Sequence, residues 1–143
     1  MVTEVNKNII RGPRPKNLES LVAMGIKNII NLESGFYEIF NDDYYEVQFP
    51  CDFGINEFNI PMSDFSAPTE QQVSEAINIL RRDKKTYIHC LHGQDRTGFV
   101  CAAYRMSVQM WSYKEAKKEM FRLGFHKLPY LLWLNELKKW ERL

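Results

Sequence analysis

The chain has 143 residues, of which 45% are hydrophobic and 26% are charged, and its formal net charge is +1. The length fits a single domain over residues 1–143, and the composition is typical of a soluble globular protein with a sizeable core. The near-zero net charge excludes a broad basic surface for nucleic acid or for an anionic membrane.

The expected compartment follows from three features of the chain. No apolar run approaches the roughly 20 residues that a membrane-spanning helix needs. The polar residues 1–8 do not form the apolar core of a signal peptide. The three cysteines are too unevenly spaced to indicate a disulfide framework. We therefore expect a cytoplasmic protein, unless an export signal was removed.

The N-terminal residues predict a strand followed by a turn. Residues 5–10 are expected to form the strand, and the segment Arg11-Gly12-Pro13-Arg14-Pro15 is expected to end it, because proline and glycine interrupt regular structure. Arg11 and Arg14 are expected to be solvated turn residues. The alternative is a basic pair that faces the substrate.

A short helix and a buried strand are predicted next. Asn17 is expected to cap the helix, which ends at Gly25. Its apolar residues at helical spacing are Leu18, Leu21 and Val22. Residues 26–32 are rich in isoleucine, which predicts a buried strand.

The middle of the chain predicts a helix, a strand and a loop. Residues 35–49 are expected to be helical, with a break near residues 41–43, because their apolar residues follow a helical period. Residues 55–60 are expected to form a strand between Gly54 and Pro61. Residues 61–68 then form a loop that contains Asp64.

The C-terminal half predicts mainly helices. Thr69 and Gln72 form a capping box, and so do Ser112 and Glu115. The helix after Thr97 is apolar and is expected to be buried on nearly all sides. Pro129 is expected to begin the last helix, which directs Leu132, Trp133, Leu137 and Trp140 toward the core. His126 and Lys127, in the preceding loop, are expected to be exposed.

Residues 87–98 carry the chemistry that the sequence predicts. They are expected to form a short strand, a loop and the start of a helix, with Cys90 and Arg96 separated by five residues. A helix N-terminus offers unpaired N–H groups and partial positive charge, which stabilise a thiolate and bind an anion. Arg96 can hold a phosphoryl group with two hydrogen bonds, and Thr97 is placed to donate to the sulfur.

The backbone of this loop is expected to surround the oxygens of a bound phosphate. The residues expected to bind phosphate are Leu91, His92, Gly93, Gln94, Asp95 and Arg96. His89 either orients the loop or is only packed in the core. No metal and no cofactor are expected. The other two cysteines, Cys51 and Cys101, are expected to be structural, with Cys51 as a redox partner of Cys90 the alternative.

The sequence His89-Cys90-x-x-Gly93-x-x-Arg96-Thr97-Gly98 resembles the signature of the cysteine-based protein tyrosine phosphatase superfamily. In size the chain is similar to the compact dual-specificity branch. The resemblance implies an α/β fold, with a small, mostly parallel central sheet flanked by helices. It also implies phosphomonoester hydrolysis through a cysteinyl-phosphate intermediate, with Cys90 as nucleophile, Arg96 binding phosphate and Thr97 supporting the sulfur.

The resemblance also implies a general acid. In this family, a loop placed like residues 61–68 carries an aspartate that protonates the leaving oxygen. That position is Asp64 here, and a turn aspartate bonded to its own backbone is the alternative. Asp52, Asp42 and Asp43 are weaker candidates.

The sequence does not decide whether the substrate is a phosphorylated protein or an inositol phosphate or phosphoinositide. The variant G-x-D-R-T-G resembles bacterial family members that accept phosphoinositides, and Asp95 could accept hydrogen bonds from ring hydroxyls. A structural ion pair of Asp95 is the alternative. Two further alternatives are an RNA 5′-triphosphatase, whose loop is similar around His92, and a phosphate-binding module without turnover.

Overall fold

The structure is a computed structural model that describes residues 1–34, 39–41 and 46–142. The strands are β1 Thr3–Asn6, β2 Ile9–Gly12, β3 Asn28–Asn31, β4 Ile39–Asn41, β5 Glu46–Gln48, β6 Asn56–Asn59 and β7 Thr86–His89. The α-helices are α1 Glu19–Ala23, α2 Glu70–Leu80, α3 Arg96–Ser107, α4 Tyr113–Arg122, α5 Lys127–Tyr130 and α6 Trp133–Lys138. A 3-10 turn covers Pro50–Phe53. None of the helices within the described residues is long and apolar enough to span a bilayer.

Five strands form the central sheet in the order β1-β2-β7-β3-β6. Strands β2, β7, β3 and β6 are parallel, and only the edge strand β1 is antiparallel to its neighbour. This arrangement confirms the predicted α/β fold. It places β7 at the centre, with the residue after its carboxyl end at the edge of the sheet where such folds bind ligands.

Helices cover both faces of the sheet. Side chains alternate along each strand, so both faces carry apolar side chains that the helices bury. Ile9, Ile30 and Ile88 point to one face, where they pack with α2, α3, α4 and α6. Their neighbours Ile10, Ile29 and Tyr87 point to the other face, where they pack with α1 and the residues around it. The alternation therefore divides the core into two clusters.

The predicted strand over residues 5–10 is wrong in its extent. The chain forms two antiparallel strands, β1 and β2, which turn at Lys7 and Asn8. The Asn8 N–H donates to Asn6 Oδ1 at 2.8 Å, which supports the turn. The turn contains no glycine or proline, and its signal is the asparagine pair Asn6 and Asn8, since asparagine side chains bond to the backbone in turns.

The helix expected over residues 35–49 is contradicted where the structure describes it. Residues 39–41 and 46–48 are strands that pair with each other in a separate antiparallel ribbon. Residues 35–38 and 42–45 lie outside the described residues. The period of apolar residues does not distinguish a helix from a short ribbon in a segment this short.

The helix starts agree better with the sequence. Both capping boxes are present, at Thr69 and at Ser112. Ten of the twelve residues of α3 are buried, as expected. At the C-terminus, Trp133 and Leu137 are buried, but Leu132 is 75% exposed. The last helix begins at Trp133, not at Pro129, because Leu128 has extended backbone angles and α5 is a separate short turn.

Helix α1 provides a direct test of this packing. Leu21 is 2% exposed, whereas the adjacent Val22 is 46% exposed, contrary to the expectation that both face the core. Leu21→Ala should lower the free energy of unfolding by about 2–5 kcal/mol, because it leaves a cavity. Val22→Ala, the matched control, should change it by less than about 0.5 kcal/mol. Urea denaturation measures both, and equal losses would contradict the assigned orientation of α1.

Candidate active site

Cys90 follows the central strand β7 and lies at the bottom of a cavity of about 260 Å³. The residue is only 3% exposed, and it lines this cavity. Arg96 and Asp64 line the same cavity. The structure therefore brings together three residues that the sequence predicted for catalysis.

Arg96 is the first residue of α3 and is 5% exposed. One nitrogen of its guanidinium donates to the Met62 carbonyl at 3.2 Å and to the Leu32 carbonyl at 3.4 Å. These carbonyls follow the ends of β6 and β3. The guanidinium is thus fixed by the strand ends, and its other terminal nitrogen faces Asp64.

The phosphate loop, residues 91–96, connects β7 to α3. Its backbone N–H groups donate no hydrogen bond to any described residue. Gly93 has a φ of +72°, and a Cβ built on it would lie 2.5 Å from the Gly12 oxygen and 2.8 Å from the Pro13 nitrogen. Only glycine satisfies both the backbone conformation and this close approach. The loop amides are therefore held in place and available for an anion.

Residues 11–14 form a brace for the phosphate loop. The Arg11 side chain donates to the Gly93 carbonyl at 2.9 Å, and the Arg14 N–H donates to the Leu91 carbonyl at 3.2 Å. Arg11 is 3% exposed, so the expectation of a solvated turn residue is wrong. Neighbouring strand ends of a parallel sheet meet at one edge, which is the signal that could have indicated this contact.

His89 is buried directly before Cys90. Burial lowers its pKa to about 4, a shift opposed by the Cys90 carbonyl and by Glu33. Its neutral ring lies with Nδ1 3.2 Å from that carbonyl, so Nδ1 carries the proton and donates. Arg14 holds the buried Glu33 with two hydrogen bonds, of 3.0 and 2.5 Å. This geometry favours the orienting role of His89.

Asp64 lies in the loop after β6 and is half exposed. Its Oδ1 is 2.6 Å from an Arg96 terminal nitrogen. The alternative expectation, a turn aspartate bonded to its own backbone, is not what forms: within this loop, the Phe65 N–H donates to Ser63 Oγ instead. Thr97 is fully buried, and its hydroxyl has no hydrogen-bond partner among the described residues. The expected bond from Thr97 to the sulfur is therefore not formed in this structure.

Asp95 contacts a residue that the sequence did not link to it. Its Oδ1 accepts the His126 backbone N–H at 2.8 Å, and its Oδ2 lies 2.9 Å from His126 Nδ1. His126 is exposed, as predicted. The contact ties the phosphate loop to the segment that contains Tyr130. It matches the structural alternative for Asp95.

The cavity also has apolar and aromatic walls, formed by Phe65, Leu91, Tyr130 and Trp133. Of these, only Leu91 was predicted as a site residue, and the three aromatic residues were missed. Phe65 is 88% exposed, and Leu91 is 40% exposed. Burial, followed by the charges of Asp95 and Asp64, raises the pKa of Tyr130, which keeps its phenol protonated. A flat apolar group can therefore contact several side chains above the cysteine.

The other two cysteines differ from each other. Cys101 is buried on α3, as expected, and burial raises the pKa of its thiol, so it stays protonated. Cys51 is exposed, which does not support the expected structural role. All three cysteines are free. A redox role for Cys51 stays a prediction.

Comparison with solved structures defines the class. Over 96% of both chains, the structure superposes on Tk-PTP in its active form with a TM-score of 0.73 and 23% identity. It superposes on the core catalytic domain of the PP-IP phosphatase SIW14 from S. cerevisiae with a TM-score of 0.78 and 21% identity, over 98% of this chain and 85% of that one. The fold is that of the small cysteine-based phosphatases.

A family model gives the particular assignment. The model described as Tc-R-P, a DSP-PTPase phosphatase of polymorphic toxin systems, matches residues 8–109. The chain belongs to this family. It is also 40% identical over 58 residues to TpbA, a dual specificity protein phosphatase of Pseudomonas aeruginosa. That alignment covers 36% of this chain and 27% of TpbA, so the chain matches about a quarter of its relative's length.

The burial of His89 predicts how stability depends on pH. The folded protein holds this ring with a pKa of about 4, below the ordinary 6.5 of an unfolded chain. Between these values the unfolded state binds the extra proton, so stability falls as pH decreases from 6.5 toward 4. His89 should account for a loss on the order of 3 kcal/mol between pH 7 and pH 4.

His89→Asn keeps a side-chain donor near the Cys90 carbonyl but does not titrate. Urea denaturation at a series of pH values should show a flatter pH dependence for this variant than for the wild type. The carboxylates that do not contact His89 are common to both proteins, so their contributions cancel in the comparison; Glu33, 3.7 Å from His89 Nδ1, is the exception. If the free energy of unfolding has the same pH dependence in both proteins, His89 is excluded as the source of that dependence.

Proposed function

We propose that this chain hydrolyses phosphate monoesters through a cysteinyl-phosphate intermediate. The observation that carries the proposal is the meeting of Cys90, Arg96 and Asp64 in one cavity. Membership of a phosphatase family supports it. The reducing conditions that preserve a catalytic thiolate favour a cytoplasmic location.

In the first step, the Cys90 thiolate attacks phosphorus opposite the ester oxygen. An S–P bond forms, the P–O bond to the leaving group breaks, and Asp64 gives its proton to the departing oxygen. Arg96 and the amides of the phosphate loop hold the three equatorial oxygens as charge develops on them. The buried guanidinium needs little rearrangement for this task, because Leu32 and Met62 already fix it.

In the second step, water attacks phosphorus and gives its proton to the Asp64 carboxylate. The S–P bond breaks, which releases inorganic phosphate and restores the thiolate. The Thr97 hydroxyl is buried without a partner among the described residues. Rotation of this hydroxyl toward the departing sulfur would give it an acceptor and ease the step.

Binding of substrate and placement of the acid are linked. Asp64 Oδ1 lies 2.6 Å from a terminal nitrogen of Arg96. A phosphate dianion competes for the same guanidinium, and it therefore releases the carboxylate toward the leaving oxygen. The half-exposed position of Asp64 leaves it free to move.

The cavity walls favour aryl phosphates such as phosphotyrosine. Phe65, Tyr130 and Trp133 provide aromatic surface at the cavity, and aromatic contacts contribute beyond their buried area. Asp95, the residue expected to accept hydrogen bonds from a polyol, is occupied by His126. Inositol phosphates stay the second candidate class, supported by the structural similarity to the PP-IP phosphatase SIW14.

The two alternatives to this function receive less support. The RNA 5′-triphosphatases that the loop resembles generally work without an aspartic acid, whereas Asp64 lies at the site here. A phosphate-binding module would have no need for the nucleophile and the acid together. A burst of para-nitrophenol release that is lost in Cys90→Ser would exclude the phosphate-binding module. Failure to hydrolyse 5′-triphosphorylated RNA would exclude the RNA 5′-triphosphatase.

The proton donor gives the sharpest kinetic prediction. Asp64→Asn should lower kcat by about 10²–10⁴. The loss should be larger for phenyl phosphate than for para-nitrophenyl phosphate, because a better leaving group needs less protonation. The decline of kcat at high pH should disappear, since it reports loss of the acid's proton. Steady-state rates across pH for both esters measure these effects.

Asp52→Asn is the matched control, because Asp52 is an exposed aspartate that does not line the cavity. Asp52→Asn should leave kcat for both esters unchanged. An equal loss for the two esters in Asp64→Asn would show that Asp64 supports the loop but does not donate the proton. Asp42 and Asp43, the other candidates, lie outside the described residues.

Substrate preference separates the two candidate classes. Phe65→Ser should lower kcat/KM for a phosphotyrosine peptide by about three- to tenfold, and should affect inositol hexakisphosphate less. Asp95→Asn should leave the ratio of the two substrates unchanged, because its oxygen can still accept the His126 N–H. A selective loss of inositol phosphate turnover in Asp95→Asn would restore the polyol hypothesis.

A further inference from the structure

A second cavity, of about 180 Å³, lies beside the phosphate loop. His92 lines both this cavity and the active site. Arg11 and Arg122 also line it, and none of the described residues in its lining is an aspartate or a glutamate. The cavity thus carries two permanent positive charges with no carboxylate of its own.

Arg11 is the unusual residue, because it is a buried cation without a counter-ion. It is 3% exposed, and it forms no ion pair with a described residue. Its hydrogen bond to the Gly93 carbonyl uses one of its five N–H donors, and its side chain donates to no other described residue. Buried charges in proteins are usually paired, since an unpaired one is costly to bury.

Arg122 contributes a second charge that is weakly compensated. Its nearest carboxylate oxygen belongs to Glu119, at 3.9 Å. Both oxygens of Glu119 are already bound by Arg105, each at 3.0 Å. The Arg122 side chain is 66% exposed, so it is free to turn toward the cavity.

The C-terminal end of α4 partly offsets the positive charge of Arg11 and Arg122. The C-terminal end of α4 reaches the cavity at Leu123 and Gly124, and a helix C-terminus carries about half a negative charge. No backbone carbonyl there accepts a hydrogen bond from Arg11 within the described chain. Half a charge therefore offsets only a small part of two guanidinium groups.

We propose that this cavity binds a compact oxyanion, a phosphate or a carboxylate, between Arg11 and Arg122. The anion supplies the counter-charge that the buried guanidinium lacks. It has two sources: the second anionic group of a substrate whose first phosphate lies against Cys90, or a free anion such as inorganic phosphate. The position of His92 on both cavities brings the two sites next to each other.

The binding test uses protein in which Arg96→Met weakens the catalytic site. Titration with inorganic phosphate at constant ionic strength, followed by calorimetry, should still detect one site. Adding Arg122→Gln should weaken that binding by about tenfold or more. Adding Lys118→Gln, which removes an exposed charge from the same helix, should not. Arg11 is kept intact, because it also supports Gly93.

The proposal is overturned if the Arg96→Met protein binds no phosphate. It is also overturned if Arg122→Gln leaves the phosphate affinity of that protein unchanged. Neither measurement needs turnover, so the proposal and the phosphatase function can fail independently.

The source of the anion is decided by kinetics in otherwise wild-type protein. If it belongs to the substrate, Arg122→Gln raises KM for inositol hexakisphosphate by about tenfold, while KM for para-nitrophenyl phosphate, with its single anionic group, changes less than about twofold. If it is a free anion, both KM values are unchanged although phosphate binding is weakened.

Discussion

The close packing of the phosphate loop against residues 11–14 is the constraint on which the site depends. A methyl group fits neither on Gly93, where it would meet the backbone of Gly12 and Pro13, nor on Gly12, where it would meet the Tyr87 hydroxyl. The same hydroxyl donates to the Pro13 carbonyl at 2.6 Å. The loop is thus held by backbone contacts, and its N–H groups are oriented before a phosphate arrives, which is the arrangement that electrostatic catalysis requires.

At the site, Arg96 faces the carboxylate of Asp64, while two other titratable side chains nearby, His89 and Tyr130, are neutral. His89 stays uncharged at neutral pH, because burial lowers its pKa to about 4. Burial and nearby carboxylates keep the Tyr130 phenol protonated. Asp64 provides the counter-charge to Arg96. A phosphate in this cavity would therefore compete with the Asp64 carboxylate for the Arg96 guanidinium.

The sequence predicted those parts of the site that are local in the chain. Cys90, Arg96 and the loop between them are fixed by one strand, one turn and one helix start, so their spacing carries the geometry. Strand β3 was predictable because its segment is rich in isoleucine, which favours buried strands. Contacts between distant segments were not: Arg11 and Gly93 are 82 residues apart, and Asp95 and His126 are 31 apart. Whether a polar residue is braced or solvated depends on such contacts.

The acid loop and the phosphate loop are connected through one side chain. Arg96 is paired with Asp64, and it also donates to the Met62 carbonyl, two residues before Asp64. The position of the loop that carries Asp64 is therefore set partly by the guanidinium that we propose binds phosphate. Because Met62 is fully buried while Asp64 is half exposed, the loop has a fixed base and a free end. Phosphate binding can then redirect Asp64 by changing one ion pair, without disturbing the strand ends that hold Arg96.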